Sequence, residues 1–308
     1  MRVIITGGSG LIGRALTENL VGDGHEVMIL SRSPEKVRGL PEGARAVAWD
    51  GRTAGGWGEL ADGSDVIVNL AGANLLGDGL IPQRWTQARK KIIADSRINA
   101  GKAVVDAVEA AKAKPRVVIQ SSAVGYYGVQ QDQKITEEHP AGDDYLAQLC
   151  IDWENSTAAV EDMGVRRGII RTGLPLTNEG GVLPLMKLPY IFFSGGRLGS
   201  GQQYYSWLHM QDQVAAMRFL IENEKASGPF NLSAPEPLTQ DEFGKVIGRV
   251  LRRPHWFPVP GFLMQLALGE SAMVVLEGQR VIPEALQTAG FEFQYPELDG
   301  ALQQLLSS

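Results

Sequence analysis

Cysteine is almost absent from this chain. Among 308 residues only Cys150 carries a thiol, so no intrachain disulfide can form. The four histidines are scattered and show no metal-ligand spacing, so no metal site is expected. A single thiol fits a reducing compartment, and we therefore expect a cytoplasmic protein.

Long apolar runs and an excess of positive charge are also missing. No run reaches the ~18 residues of a membrane-spanning helix, so we expect no membrane partner. The first predicted strand starts at residue 2, so no signal or transit peptide is expected. The 29 Lys and Arg residues are outnumbered by 35 Asp and Glu residues, and the net charge of −6 argues against a nucleic-acid partner. The oligomeric state cannot be read from the sequence.

Glycine, by contrast, is placed where a strand passes into a helix. A β-branched run, Val3 to Ile5, precedes glycines at 7, 10 and 13, and the helix begins with Leu11 and Ile12. We predict that Gly7 allows the tight turn, Gly10 lets a pyrophosphate approach the backbone, and Gly13 allows close packing. The free N–H groups at the helix N-terminus would bind an anion. A turn without a ligand is the alternative, and the strand-to-helix context disfavours it.

The end of the second predicted strand indicates which dinucleotide binds. An acidic residue there would bind the ribose of NAD, whereas an arginine accommodates the 2′-phosphate of NADP. This chain has Ser31, Arg32 and Ser33, with no carboxylate. The alternative is a solvated surface arginine. We predict NADP(H) as the cofactor.

Strands and helices then alternate to residue 171, which predicts parallel βαβ units. The expected fold is α/β: a doubly wound parallel sheet (Rossmann) with a smaller C-terminal α+β substrate lobe. The predicted NADP-binding Rossmann domain covers residues 1–172, and the C-terminal lobe covers residues 173–308. The sequence leaves open whether later segments return to the first domain.

Helices are expected over residues 82–112, with a break at Gly101 left open, and over 144–163, 211–222, 239–252 and 296–306. The apolar run 183–193 is assigned to a loop-rich stretch.

Two other strand ends carry candidate site residues. Small residues, Ala71 and Gly72, follow Asn69 and Leu70, and would let a cofactor lie against the sheet edge. Hydroxyls and tyrosines follow the fifth strand and are candidates for acid–base chemistry: Ser121, Ser122, Tyr126 and Tyr127.

On these motifs the chain resembles the extended short-chain dehydrogenase/reductases. More narrowly, it resembles their atypical epimerase-family branch, related to NAD(P)-dependent epimerases and dehydratases. The narrower features include Arg84-Trp85, Ser96-Arg97, Trp153-Glu154 and residues 277–283. The resemblance covers nearly the whole chain. It implies NADP(H) contacts at Gly7, Gly10, Leu11, Ile12, Gly13, Ser31, Arg32, Leu70, Ala71, Gly72, Arg97 and Ser121.

The chain departs from the superfamily at the catalytic motif. The superfamily uses a serine or threonine and then Tyr-x-x-x-Lys, whose lysine lowers the tyrosine pKa. Here Ser122 and Tyr145 match, but Leu149 occupies the lysine position. Tyr126 and Tyr127 are alternative proton donors.

Two hypotheses follow. One is an NADP(H)-dependent oxidoreductase or epimerase acting on a small polar carbonyl or sugar-like substrate. The other is a catalytically silent NADP(H)-binding sensor or scaffold. The missing lysine favours the second, whereas Ser122 and the tyrosines favour the first.

Overall fold

The computed structural model describes residues 1–77, 83–130 and 132–306. The expected start of the second helix, Pro82, lies outside the described residues. The described strands are β1 Arg2–Thr6, β2 Glu26–Ser31, β3 Ala44–Ala48, β4 Val66–Asn69, β5 Val117–Ala123, β6 Lys134–Ile135, β7 Arg166–Thr172, β8 Leu174–Leu176, β9 Tyr204–Tyr205, β10 Trp207–His209, β11 Gly228–Leu232, β12 Leu238–Thr239 and β13 Arg280–Val281. The described α-helices are α1 Leu11–Gly22, α2 Gln87–Ala110, α3 Tyr145–Asn155, α4 Leu183–Ile191, α5 Met210–Glu222, α6 Gln240–Leu251, α7 Gly261–Leu268, α8 Met273–Leu276, α9 Glu284–Thr288 and α10 Leu298–Leu306.

Within these residues seven strands form one parallel sheet. The spatial order is β11-β7-β5-β4-β1-β2-β3, and every neighbouring pair is parallel. The chain order reverses between β1 and β4, which is where ligands bind in open α/β sheets. This confirms the predicted doubly wound α/β fold.

Both faces of the sheet are apolar. This is expected of a parallel sheet, because helices cover it on both sides. Val3, Ile5 and Leu16 pack with helix α5 residues on one face. Ile4 and Met28 pack on the other face against Ala and Val residues of α2. A third cluster, which includes Trp207 and Phe243, forms the core of the C-terminal lobe.

The seventh strand, β11, was not predicted. Residues 228–232 pair with β7 from Gly168 to Thr172 and extend the first sheet at its edge. A segment from beyond residue 172 therefore completes the sheet. The run Gly-Pro-Phe-Asn-Leu is short and has no β-branched residue, so its strand propensity is weak.

Several predicted helix bounds were wrong. Helix α2 begins at Gln87, capped by the Thr86 side chain, and continues through Gly101. A Cβ on Gly101 would lie 1.8 Å from Ser156 Oγ, so this glycine allows close packing and does not break the helix. Helix α3 ends at Asn155, and not at residue 163, because Ser156 bonds back to Trp153 O and a 3₁₀ turn follows at Ala158–Val160.

The C-terminal lobe has more helices than expected, since α7, α8 and α9 were not predicted. The apolar run that was assigned to a loop-rich stretch forms helix α4, Leu183–Ile191. Helix α6 has the predicted capping box: Thr239 and Glu242 each bond the other's backbone N–H. The last helix begins at Leu298, two residues after the predicted start.

Candidate functional site

The glycine turn has the geometry that an anion site needs. Gly7 has φ +67°, and a Cβ there would lie 2.8 Å from the Leu70 carbonyl carbon, so only glycine fits. A Cβ on Gly13 would lie 2.5 Å from Gly8 Cα. Gly10 is the N-cap of α1, and no side chain caps the helix there. The helix N-terminus is therefore left without a side-chain acceptor and can bind an anion.

A cleft of about 500 Å³ opens beside this turn, and we call it the glycine-turn cleft. Its lining includes most of the predicted cofactor residues: Gly7, Gly10, Ser31, Arg32, Leu70, Ala71 and Gly72. Leu11, Ile12 and Gly13 belong to the adjoining first turn of α1. No Asp or Glu occurs among the described lining residues.

The polar residues at this edge of the sheet are fixed by hydrogen bonds. Thr6 Oγ1 donates to Asn69 Oδ1 over 2.6 Å and accepts from the Ala71 N–H over 3.2 Å. Asn69 Nδ2 donates to Gln120 Oε1 over 2.8 Å. The carboxyl ends of β1, β4 and β5 are thereby joined, which positions Leu70 and Ala71 at the cleft.

The first acidic residue after β3 forms its hydrogen bonds within the loop that follows this strand. Asp50 accepts hydrogen bonds from the backbone of Thr53 and Arg52 and from the Thr53 hydroxyl. The bond from the Thr53 backbone is the main reason why the pKa of this carboxyl is lowered. Arg32 is thus the charged side chain that lines the cleft.

Arg97 lies between the cleft and a second cavity. Its guanidinium donates to Ala73 O and Ile93 O, both at 3.0 Å, and lies 4.8 Å from the Trp153 ring centroid. Burial lowers the pKa of Arg97 to about 10, so it remains charged at neutral pH. The fit to Gly72 is close, since a Cβ there would lie 3.0 Å from Arg97 Cζ.

The second cavity, which we call the inner cavity, measures about 170 Å³. The Rossmann part contributes apolar side chains such as Leu146 and Leu149, together with Arg97. The C-terminal lobe contributes Met273, Val274, Glu277 and the segment 204–206. Two buried polar atoms in its walls, Trp153 Nε1 and Thr172 Oγ1, have no hydrogen-bond partner among the described residues. A ligand with a polar group would find unused hydrogen-bonding capacity there.

The predicted catalytic residues do not form one cluster. Ser122 Oγ donates to Glu154 Oε1 over 2.6 Å, and Glu154 forms a buried ion pair with Arg171. Arg171 also donates to Tyr127 Oη over 3.0 Å and lies 3.4 Å from the Tyr126 ring centroid. Ser122, Tyr126 and Tyr127 are thus joined through Glu154 and Arg171.

Tyr127 is enclosed within this network. Its side chain is fully buried and its hydroxyl donates to Asn231 Oδ1 over 2.7 Å. Burial raises the pKa of Tyr127 to about 12. The hydroxyl is therefore protonated at neutral pH and already bonded within the protein.

Tyr145 lies in a separate environment at the start of α3. Its ring contacts Trp85 at 5.2 Å between centroids, and Lys90 Nζ lies 4.4 Å from the Tyr145 ring centroid. Its hydroxyl donates to Lys90 O over 3.4 Å. Burial is the largest cause that raises the pKa of Tyr145. Among the described residues that line the inner cavity, neither Tyr145 nor Ser122 occurs, and the catalytic roles stay predictions.

Sequence reasoning missed the partners that organise this region. Arg171 and Thr172 end β7, and Cys150 lines the inner cavity. A charged residue at the end of a buried strand was the available signal for Arg171. Burial raises the pKa of the Cys150 thiol to about 12, so it is not a reactive thiolate.

The fold and these two cavities define a protein of the extended short-chain dehydrogenase/reductase class. The model of the NAD dependent epimerase/dehydratase family matches residues 3–233, and a domain of unknown function, DUF1731, matches residues 259–305. The chain belongs to the NAD dependent epimerase/dehydratase family, in its atypical epimerase-family branch.

Relatives match over nearly the full length. Epimerase family protein YfhF of Bacillus subtilis is 41% identical over 308 residues, which are 100% of this chain and 98% of the relative. The SDR39U1 homolog of Arabidopsis thaliana, described as chloroplastic, is 38% identical and covers 99% of this chain and 87% of its own. The solved structure of human epimerase family protein SDR39U1 with NADPH has 32% identity, a TM-score of 0.90 and 100% coverage of both chains. The described residues contain no helix long and apolar enough to cross a membrane.

Proposed function

We propose that this protein is an NADP(H)-dependent oxidoreductase or epimerase that acts on a small carbonyl or sugar-like substrate. The observation that supports it best is the glycine-turn cleft: an uncapped helix N-terminus, Arg32 beside two serine hydroxyls, and no lining carboxylate. The SDR39U1 structure, which contains NADPH, supports the same cofactor.

The residues of the cleft fit such a cofactor in kind and position. The N-terminus of α1 would hold the pyrophosphate, and Arg32 with Ser31 would hold the 2′-phosphate. Ala71, Gly72, Arg97 and Ser121 would lie along the path from the cleft to the inner cavity. When bound, the nicotinamide accepts or supplies a hydride.

The protein's own contribution to catalysis would come from the inner cavity. Its apolar walls exclude water, and this strengthens the interaction of Arg97 with a polar substrate atom. Trp153 Nε1–H and the Thr172 hydroxyl are available to orient that atom. Ser122 with Tyr145, which lie outside the lining of this cavity, remains the proposed proton-donating pair, and Tyr126 or Tyr127 is the alternative donor.

The division into a Rossmann domain, residues 1–172, and a substrate lobe, residues 173–308, from which β11 returns to the Rossmann sheet, is proposed on the same grounds. The C-terminal side provides Tyr204, Ser206 and Glu277 to the inner cavity. The single cysteine, which is buried, supports a cytoplasmic location.

A catalytically silent NADP(H)-binding sensor is the second candidate. Two observations favour it: Leu149 replaces the usual lysine, and the Ser122 proton is held by Glu154. Stopped-flow oxidation of bound NADPH across a panel of carbonyl compounds and nucleotide sugars distinguishes the two functions. Turnover with any of them supports the enzyme, whereas tight binding without turnover supports the sensor. Absence of NADPH binding would contradict both.

A further inference from the structure

The C-terminal lobe exposes an unusual concentration of apolar side chains. Ten of the twelve large hydrophobic residues that are exposed in the described chain lie within residues 183–193 and 256–266. Phe192 and Leu266 are 71% exposed, and Trp256 and Phe262 are 65% exposed. Large contiguous apolar patches on soluble proteins usually mark interaction sites.

These two segments meet where the first one ends and the second one begins. Trp256 Nε1 donates to Phe193 O over 2.9 Å, and isolated parallel bridges join Gly195 to His255 and Leu198 to Val259. Helix α7 begins beside this junction, since a Cβ on Gly199 would lie 3.8 Å from Gly261 Cα. We call the exposed side chains of residues 183–193 and 256–266 the apolar face.

The charged residues within the two segments and their near sequence neighbours are all positive. Residues 183–198 and 249–266 contain five cations, Lys187, Arg197, Arg249, Arg252 and Arg253, and no Asp or Glu. The chain as a whole has a net charge of −6, so this local excess is not a property of its composition.

Most of these cations are available to an external partner. Among the described residues only Arg249 of the five forms an ion pair, with Asp299. The Arg253 guanidinium lies 4.5 Å from the ring centroid of the exposed Phe193, which places positive charge directly on the apolar face.

We propose that the apolar face binds the surface of an anionic lipid bilayer. Aromatic and aliphatic side chains that enter the headgroup region, flanked by Lys and Arg, are the chemistry of peripheral membrane contact. The expectation of no membrane partner rested on the absence of a spanning run, and a peripheral contact needs none.

The charge pattern disfavours a second copy of this chain as the occupant. In a two-fold symmetric contact the same patch faces itself. The unpaired cations of both copies would then approach each other, and the carboxylates beside the face, Asp241 and Asp299, already bond to Lys245, His255 and Arg249. An anionic bilayer supplies that missing negative charge.

Vesicle co-sedimentation of the full chain tests the proposal. We expect binding to vesicles of phosphatidylcholine mixed with phosphatidylglycerol, and much weaker binding to phosphatidylcholine alone or in high salt. The double variant Phe262→Ser, Leu266→Ser should weaken binding by more than about tenfold, because it removes apolar burial. Arg252→Asn and Arg253→Gln should each weaken it by roughly fivefold.

Matched control variants distinguish binding through the apolar face from general effects of changing charge or side-chain size. Lys102→Gln, which removes an exposed cation on α2, and Phe262→Leu, which keeps the residue apolar, should leave binding nearly unchanged. If the serine variant does not fold, as judged by its melting temperature, the two arginine variants decide. Equal binding to both vesicle types, or no binding by the unmodified chain, overturns the proposal. So does light scattering that shows an oligomer which the serine variant dissociates, because the face would then join two copies.

Discussion

Ser122 and Glu154 form a buried hydrogen bond in which Ser122 Oγ donates to Glu154 Oε1 over 2.6 Å. Arg171 holds the same carboxylate in a bidentate arrangement, through its Nε at 2.9 Å and a terminal nitrogen at 3.0 Å. The serine that the sequence analysis predicts to be catalytic is therefore part of a charged network in the interior. Its proton reaches a substrate only if this bond rearranges.

The buried pair predicts a large stability effect. Glu154→Gln should lower the free energy of unfolding by ~3–5 kcal/mol, because it leaves the Arg171 charge buried without a carboxylate. Chemical denaturation measures this. Asp95→Asn is the control, since it removes the exposed Lys91–Asp95 pair and should cost less than about 0.5 kcal/mol. Equal effects of the two substitutions would contradict a structural role for the buried pair.

Arg32 should determine which cofactor is preferred. Arg32→Ala should weaken NADPH binding by tenfold to a hundredfold, because it removes a charge-assisted contact of ~1.5–3 kcal/mol, and should barely change NADH binding. Isothermal titration calorimetry with both cofactors measures this. Arg45→Ala, on neighbouring β3 and outside the cleft lining, is the control. Equal affinity of the unmodified protein for NADPH and NADH would refute the assignment.

Two substitutions in the glycine turn should have different effects, one on cofactor binding and the other on folding. Gly10 has φ −78°, and a Cβ there meets only Gly7 O, at 3.2 Å. Gly10→Val should therefore fold but lose NADPH binding, because its side chain takes the place of the pyrophosphate. Gly13→Ala should instead destabilise the protein, since its Cβ would overlap Gly8. Undiminished NADPH affinity in a folded Gly10→Val protein would show that the pyrophosphate binds elsewhere.

The sequence predicted the parts of the fold that local patterns determine. The glycine turn, the β-branched strands and the Thr239–Glu242 capping box depend on neighbours in the chain, and all three are present. Strand β11 and the Glu154–Arg171 pair depend on contacts between distant segments, which no local pattern encodes. The same holds for the inner cavity, whose walls come from both halves of the chain.

The protonation state of Tyr145 should determine which direction of the reaction is favoured. Hydride transfer to a carbonyl needs a proton donor where negative charge develops, and a phenol can supply the proton only while it is protonated. Burial is the main cause that raises the pKa of Tyr145, with Leu149 packed in the same apolar cluster. Tyr145 therefore remains protonated at neutral pH, where NADPH-dependent reduction should be favoured. Alcohol oxidation needs the phenolate, so its rate should rise only at alkaline pH.

The test uses a substrate found in the carbonyl screen. Tyr145→Phe and Ser122→Ala should each slow NADPH-dependent reduction, and Tyr145→Phe should also remove the alkaline rise in oxidation. General acid catalysis typically contributes a factor of about 10²–10⁴ in rate, which sets the size of the expected loss. If Tyr145→Phe reduces the substrate at the unmodified rate, Tyr145 is not the donor. The role would then pass to Tyr126, to a bound water, or to Tyr127 if its bond to Asn231 rearranges.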